Sequence, residues 1–148
     1  MPCPDFDVSI VQRSENGSAV NSSAYISASK LYCSYDMESK DYRYKQNELF
    51  YETVMLPDHA PPEYADREKL WNSVEAVETQ WNSQLARKLR LALPREVPPD
   101  QYVEMVREYC QEQFVSKGMI VDRAIHDPAP PGHNPHVHLL LTMRSLDE

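Results

Sequence analysis

Cysteine is scarce and scattered. Cys3, Cys33 and Cys110 are odd in number, far apart, and none sits in a Cys-x-x-Cys pair. That excludes a disulfide framework and a thiolate zinc site, and free thiols in a reducing compartment are expected. Long apolar runs are missing too. The longest are a few residues, far short of the roughly 20 that cross a bilayer, so no membrane-spanning segment is expected. The opening Met1-Pro2-Cys3-Pro4-Asp5 has neither the basic start nor the apolar segment of a secretory leader, which points to a cytoplasmic protein. Basic charge is also short: 15 Lys and Arg against 23 Asp and Glu give a net charge of −8. This balance weighs against a general nucleic-acid binder, whose non-specific affinity rests on neutralising phosphates. A local basic patch or a divalent cation would supply the charge that the total lacks.

What is present suits one soluble domain. The chain has 148 residues, 41% of them hydrophobic and 26% charged, with no internal repeat and no linker. Phe6, Val8 and Ile10 alternate with Asp7, Ser9 and Val11 and predict a strand, closed by a turn over Arg13 to Gly17. Ser18 then caps a predicted helix running to Tyr32, with Val20, Ala24, Ala28 and Leu31 as its apolar stripe. At about 100° per residue, Tyr25 falls roughly 110° from the centre of that stripe, on the polar side with Asn21, Ser22, Ser29 and Tyr32. Residues 34–47 read as a polar loop with a short strand, and residues 49–56 as a strand stopped by Pro57. Asp66 caps a predicted helix to Gln80, with Leu70, Val74, Val77 and Trp81 inward.

The segment from Gln84 to Leu93 alternates again. Leu85, Leu89, Leu91 and Leu93 lie on one face with Arg87, and Ala86, Lys88, Arg90 and Ala92 on the other. With Arg95 this is the chain's one basic cluster, either a solvated sheet face or a contact for DNA. A long helix follows from Pro98 to Lys117, with Val103, Val106, Cys110 and Phe114 inward and Gly118 as its C-terminal cap. Two strands close the chain, Met119 to Ile125 and His136 to Met143, joined by a Pro- and Gly-rich loop long enough to carry function. Strands interleaved with long helices, plus this terminal pair, predict an α+β fold with a mostly antiparallel central sheet and helices packed on it.

The last two strands carry the histidines. A strand alternates its side chains, so His136 and His138 share a face, roughly 6 to 7 Å apart. His126 ends the preceding strand and offers a third imidazole. Three such ligands can hold a metal while leaving coordination positions open, and the set lacks the spacing of a zinc finger. Imidazoles favour later transition metals, but cellular availability can place Mg²⁺ or Mn²⁺ there. His133, in the loop, is either a substrate contact or a bystander, and His59 reads as a loop residue outside the site. An open metal can polarise a phosphoryl oxygen. With water as nucleophile the result is a hydrolase; with a tyrosine it is a covalent phosphotyrosine enzyme. The sequence has nine tyrosines, and composition selects none of them.

Ala124-Ile125-His126-Asp127 with Gly132-His133-Asn134-Pro135-His136-Val137-His138-Leu139-Leu140-Leu141-Thr142-Met143-Arg144 closely resembles the histidine motif of MobA/MobL relaxases, plasmid mobilisation enzymes of the HUH endonuclease superfamily. Ser18-Ala19-Val20 with Ser23-Ala24-Tyr25 resembles that family's tyrosine motif. Residues 66–75, 84–87 with 92–96, and 113–119 match it as well, so the resemblance covers nearly the whole chain. It implies site- and strand-specific nicking and resealing of single-stranded or hairpin DNA at a plasmid transfer origin. Tyr25 would be the nucleophile, leaving a 5′-phosphotyrosine, and His126, His136 and His138 would hold the divalent metal. Asp127 would orient His126, Arg144 would contact phosphate or form a structural salt bridge, and Arg87, Lys88, Arg90 and Tyr32 would contact DNA. Tyr35, Tyr42 and Tyr44 are further candidates for stacking on bases. A monomer is implied, working with accessory mobilisation proteins and a coupling protein. Residues 1–148 would be the relaxase domain, truncated at its C-terminal end. The sequence departs from the family pattern where Lys88 replaces the usual glutamate after the Ala-Arg pair, and Arg90 stands where some relatives are acidic. Two alternatives follow: a relaxase-like DNA-binding module with little or no nicking because of Lys88, and an HUH replication initiator or transposase.

Overall fold

The computed structural model describes residues 6–15, 17–78, 83–93, 101–126 and 136–143. Five segments pair into one sheet: β1 (Phe6–Gln12), β4 (Leu49–Met55), β5 (Gln84–Ala92), β6 (Val121–His126) and β7 (His136–Leu141). Their order is β1-β5-β7-β6-β4, and every neighbouring pair is antiparallel. β2 (Lys30–Cys33) and β3 (Glu38–Asp41) form a separate hairpin. The helices are α1 (Ala19–Ser27), α2 (Arg67–Val77) and α3 (Tyr102–Gln113). This is the α+β architecture that the order of elements predicts.

β7 lies at the centre of the sheet and is covered on both faces, which is why its Leu139-Leu140-Leu141 run does not alternate with polar residues. α1 and α2 cover one face, where Val20, Leu70, Trp71, Ala124 and Leu140 form a core. α3 covers the other, where Tyr102, Val106 and Cys110 meet Ile125, Leu139 and Leu141. Burial pushes the Cys110 thiol up to about 11 and raises that of Cys33, so both stay protonated thiols at neutral pH.

Three helix predictions need correction. α1 does not run to Tyr32. It stops at Ser27 because Ala28 turns left-handed (φ 51°, ψ 47°) and the Ser29 N–H bonds back to the Ala24 carbonyl at 3.0 Å. Leu31 and Cys33 then turn inward from a strand, and Tyr32 is carried off the face of Tyr25. α2 ends at Val77, which is 74% exposed; its buried residues are Leu70, Trp71 and Glu75. Polar partners set that face: Trp71 donates to Asp122, and Glu75 accepts from α1. Trp81 lies outside the described residues. α3 ends at Gln113, not Lys117, with Phe114 in the capping position, and Gly118 instead closes the separate helical turn Val115–Lys117 at φ 90°. The predicted Asp66 cap holds, its carboxylate taking the Glu68 N–H at 2.9 Å.

Buried polar groups hold α1 in place. The Ser18 hydroxyl takes the Asn21 N–H at 3.1 Å, and Glu75 of α2 takes the Val20 N–H at 3.0 Å. A carboxylate at a helix N-terminus meets both its free N–H groups and its dipole. One turn on, the Ser23 hydroxyl donates to Asp122, which also accepts from Trp71 Nε1 at 2.9 Å and Arg67 Nε at 2.7 Å. Burial pushes the Asp122 carboxyl up, while Arg67, Ser23 and Trp71 act to keep it ionised. Gly17 enters α1 by close approach: a Cβ there would lie 2.5 Å from the Gln12 carbonyl oxygen.

Candidate metal and nucleophile site

The antiparallel register sets His126 directly opposite His136, and His138 follows on the same face of β7. Ring centroids stand 5.8 Å apart for His126 and His136, 4.7 Å for His126 and His138, and 4.9 Å for His136 and His138. One nitrogen from each ring lies within 4.8 Å of the others. Two bonds of about 2.1 Å span about 4.2 Å at most, so small ring movements suffice for the three to share one ion.

The state of the rings suits that role. Nδ1 of His138 is buried and has no hydrogen-bond partner among the described residues. Burial, with His126, His136, Lys88 and Arg90 adding to it, pushes His138 down to about 3, so it is neutral at pH 7 and needs no proton expelled before ligation. The unfolded chain takes up that proton from near pH 6.5 downward, so at this residue stability falls with pH until about 3. His126 Nε2 lies 2.7 Å from the Ile26 carbonyl oxygen. A carbonyl only accepts, so Nε2 carries the hydrogen and Nδ1 keeps the lone pair. That bond fixes the ring and ties it to the residue after Tyr25. Replacing His138 with alanine is expected to weaken Mn²⁺ binding by about 100-fold or more, read from the free-ion signal in an electron paramagnetic resonance titration. An unchanged affinity would remove His138 from the ligand set.

Tyr25 stands at the edge of the site, 37% exposed on α1. It lines a polar cleft of about 580 Å³ together with Ser9, Asn21, Lys88, Arg90 and His138. Nucleophile candidate and metal-ligand candidate therefore share one space. The two cations reach it because they lie on the face of β5 that carries His138 on the neighbouring β7. Arg90 pairs across the strands with His138, and Lys88 with Leu140. The departure at Lys88 therefore falls inside the cleft. Arg87 faces the opposite side with Leu141, toward the α3 core, away from the cleft. Tyr32 is exposed on β2 and does not line the cleft; its backbone is held by Glu68 and Asn72. His59 lies apart, beside Leu56, Gln111 and Val115. Asp127, His133 and Arg144 lie outside the described residues.

Sequence reasoning missed two neighbours of Tyr25. The Tyr42 ring meets it edge-on, with centroids 5.3 Å apart and planes at 79°, and the Lys45 ammonium lies 4.9 Å from its centroid. Both arrive after the β2–β3 hairpin, so no local periodicity signals them.

Residues 17–148 match the model of the MobA/MobL family. The chain belongs to the MobA/MobL family. It is 38% identical over 158 residues to the conjugal transfer protein TraA of Agrobacterium fabrum, an alignment covering 100% of this chain and 14% of TraA. It is 36% identical over 142 residues to the probable mobilization protein MobA of Bifidobacterium longum, covering 96% of this chain and 25% of that protein. A chain from the structural work described as "Molecular Basis of Vancomycin Resistance Transfer in Staphylococcus aureus" superposes with a TM-score of 0.88 at 38% identity, over 97% of this chain and 72% of that one. This MobA/MobL chain thus spans a small part of the length of TraA and MobA. No helix among its described residues is long and apolar enough to cross a membrane.

Proposed function

We propose that this MobA/MobL chain is the nicking domain of a DNA relaxase, cutting and resealing one strand at a transfer origin for conjugative mobilisation. The observation that carries the reading is the shared cleft: Tyr25, His138, Lys88 and Arg90 line one polar space beside the three-histidine cluster. Names of relatives concerned with conjugal transfer and mobilization favour this over replication initiation.

The Tyr25 hydroxyl attacks the scissile phosphorus. The bond to the tyrosine oxygen forms as the bond to the 3′-oxygen breaks. The phenolic proton passes to solvent, and the departing 3′-oxygen takes one up. The products are a 5′-phosphotyrosine and a free 3′-hydroxyl, and reversal reseals the strand. Phosphodiester energy is kept in the covalent bond, so no nucleotide cofactor is required. Lys88 and Arg90 offer positive charge to the strand's phosphates, with Arg90 able to bind two oxygens at once. His126, His136 and His138 would hold Mg²⁺ or Mn²⁺, which supplies polarisation of a phosphoryl oxygen and charge neutralisation in the in-line displacement. Single-stranded or hairpin origin DNA is the proposed substrate, and accessory mobilisation and coupling proteins are the proposed partners.

The test incubates the full-length chain with single-stranded oligonucleotides tiled across the DNA that flanks its gene, with Mg²⁺ or Mn²⁺. One oligonucleotide is expected to give a denaturant-resistant protein–DNA adduct and a single 3′-hydroxyl end, both lost with chelator. Cleavage that leaves no protein on the 5′ end would point instead to water as nucleophile.

The position of Lys88 inside the cleft keeps a second reading open, that of a DNA-binding module. Replacing Lys88 with glutamate places a carboxylate near the triad, so Mn²⁺ affinity is expected to rise and oligonucleotide affinity to fall. If the native chain never nicks and the Lys88→Glu chain does, the binding-module reading replaces the enzyme.

A further inference from the structure

We propose that Lys45 is a positioning residue for Tyr25, with Tyr42 as the brace that keeps the tyrosine ring against it. The inference rests on the reading of Tyr25 as nucleophile and names two residues that hold it.

Tyr42 is fixed at both ends. Its N–H donates to the Ser29 carbonyl at 2.9 Å, and its hydroxyl donates to Asn21 Oδ1 at 2.9 Å. Asn21 lies one turn before Tyr25 on α1, so the hydroxyl bond ties Tyr42 to the same helix that carries the nucleophile. The Tyr42 ring then meets Tyr25 at 5.3 Å with the planes at 79°, the favourable edge-to-face geometry for two aromatic rings. The helical turn Arg43–Glu48 starts directly after Tyr42, and the Lys45 N–H closes it on the Tyr42 carbonyl at 3.0 Å. This places the Lys45 ammonium 4.9 Å from the Tyr25 centroid, within range of a cation–ring contact. Lys45 is half-buried, whereas its neighbours Arg43 and Tyr44 are exposed, and Arg43 is engaged with Asp41.

A tyrosine on the outer face of a helix would otherwise be free to change rotamer. Attack on phosphorus needs the phenolic oxygen close to the phosphate and in line with the leaving group, and misplacement by about 1 Å can cost rate heavily. Two contacts on one ring, both from an element outside α1, remove that freedom before DNA arrives. The Lys45 ammonium also adds positive charge over the ring whose oxygen acquires the phosphoryl group. Its effect therefore belongs to the chemical step more than to strand binding.

The experiment uses the full-length chain and the oligonucleotide that yields the adduct. In single-turnover reactions with saturating oligonucleotide, Lys45→Met is expected to slow adduct formation about five- to tenfold, with the oligonucleotide Kd changed less than about twofold. Lys45→Arg is expected to restore most of the rate, because a guanidinium also lies over aromatic rings. In the free protein labelled with 3-fluorotyrosine, the Tyr25 fluorine resonance is expected to shift in Lys45→Met and in Tyr42→Leu, and to keep its position in Lys45→Arg. Tyr25→Phe assigns that resonance and also tests the underlying reading. If Tyr25→Phe still forms adduct, the nucleophile assignment fails whatever Lys45 does. If Tyr25→Phe abolishes the adduct but Lys45→Met keeps the rate, changes only the Kd, or leaves the Tyr25 resonance in place, the positioning role is overturned.

Discussion

Replacing Tyr25 with phenylalanine is expected to abolish the protein–DNA adduct, a loss of roughly 10⁴-fold or more in joining rate, while the fold and DNA binding survive. The substitution removes one oxygen and leaves the ring. That ring keeps its edge contact with Tyr42 and its place beneath Lys45. The Tyr25 hydroxyl makes no hydrogen bond among the described residues, and the side chain is 37% exposed. Stability should therefore stay within about 0.5 kcal/mol of the parent chain. Lys88 and Arg90 remain in the cleft, so oligonucleotide affinity at a fixed salt concentration should also hold. Adduct formation on denaturing gels, a thermal melt and a binding isotherm check the three parts. Persistent adduct in the variant would remove Tyr25 from its proposed role.

Asp122→Ala is expected to give the largest loss of stability, about 3 to 5 kcal/mol. Asp122 is fully buried and accepts from three residues. Removing it leaves Trp71 Nε1–H and the Ser23 hydroxyl without an acceptor, at about 1 to 3 kcal/mol each when nothing replaces the bond. It also strips Arg67 of its buried counter-charge. Burial alone would lower the Arg67 pKa; Asp122 and then Glu52 more than reverse that, so the guanidinium depends on them. Glu52 remains as a partner and offsets part of the loss. A urea titration should show a lower midpoint at unchanged slope. A loss under about 1 kcal/mol would mean that the site relaxes or that water replaces the carboxylate. Metal affinity should fall as well, since Ser23 and Ile26 lie on the same helix and Ile26 holds His126.

The legible parts of the site are those that local geometry dictates. His136 and His138 share a face because a strand repeats every two residues, whatever the strand packs against. Ser18 and Asp66 cap as expected because a cap depends on the backbone next to it. Other parts were ambiguous. Leu31 fits both a helical stripe from Val20 and a strand beside Cys33, and only pairing with Ser39–Asp41 decides for the strand. The buried face of α2 was read only in part: Leu70 and Val74 pack inward as expected, but Trp71 and Glu75 face in because of Asp122 and the start of α1, both more than fifty residues away. Lys88 and Arg90 read equally well as a wet sheet face. Their place depends on what lies over that face of β5, and α1 sets Asn21, Ser22 and Tyr25 across the cleft from them.

By itself the sequence determined the five strands of the main sheet, the two-residue spacing of the paired histidines, the polar face of Tyr25 and the family pattern that links them. Tertiary structure decided how these meet. The register of β6 on β7 sets His126 against His136, and the sheet order brings Arg90 beside His138. Two long-range bonds, Ser23 to Asp122 and His126 to the Ile26 carbonyl, seat α1 over the triad across 99 and 100 residues of chain. The physical reason is range. Alternation, helical period and capping act over a few residues and are written locally, whereas burial and buried hydrogen bonds depend on which distant segment arrives.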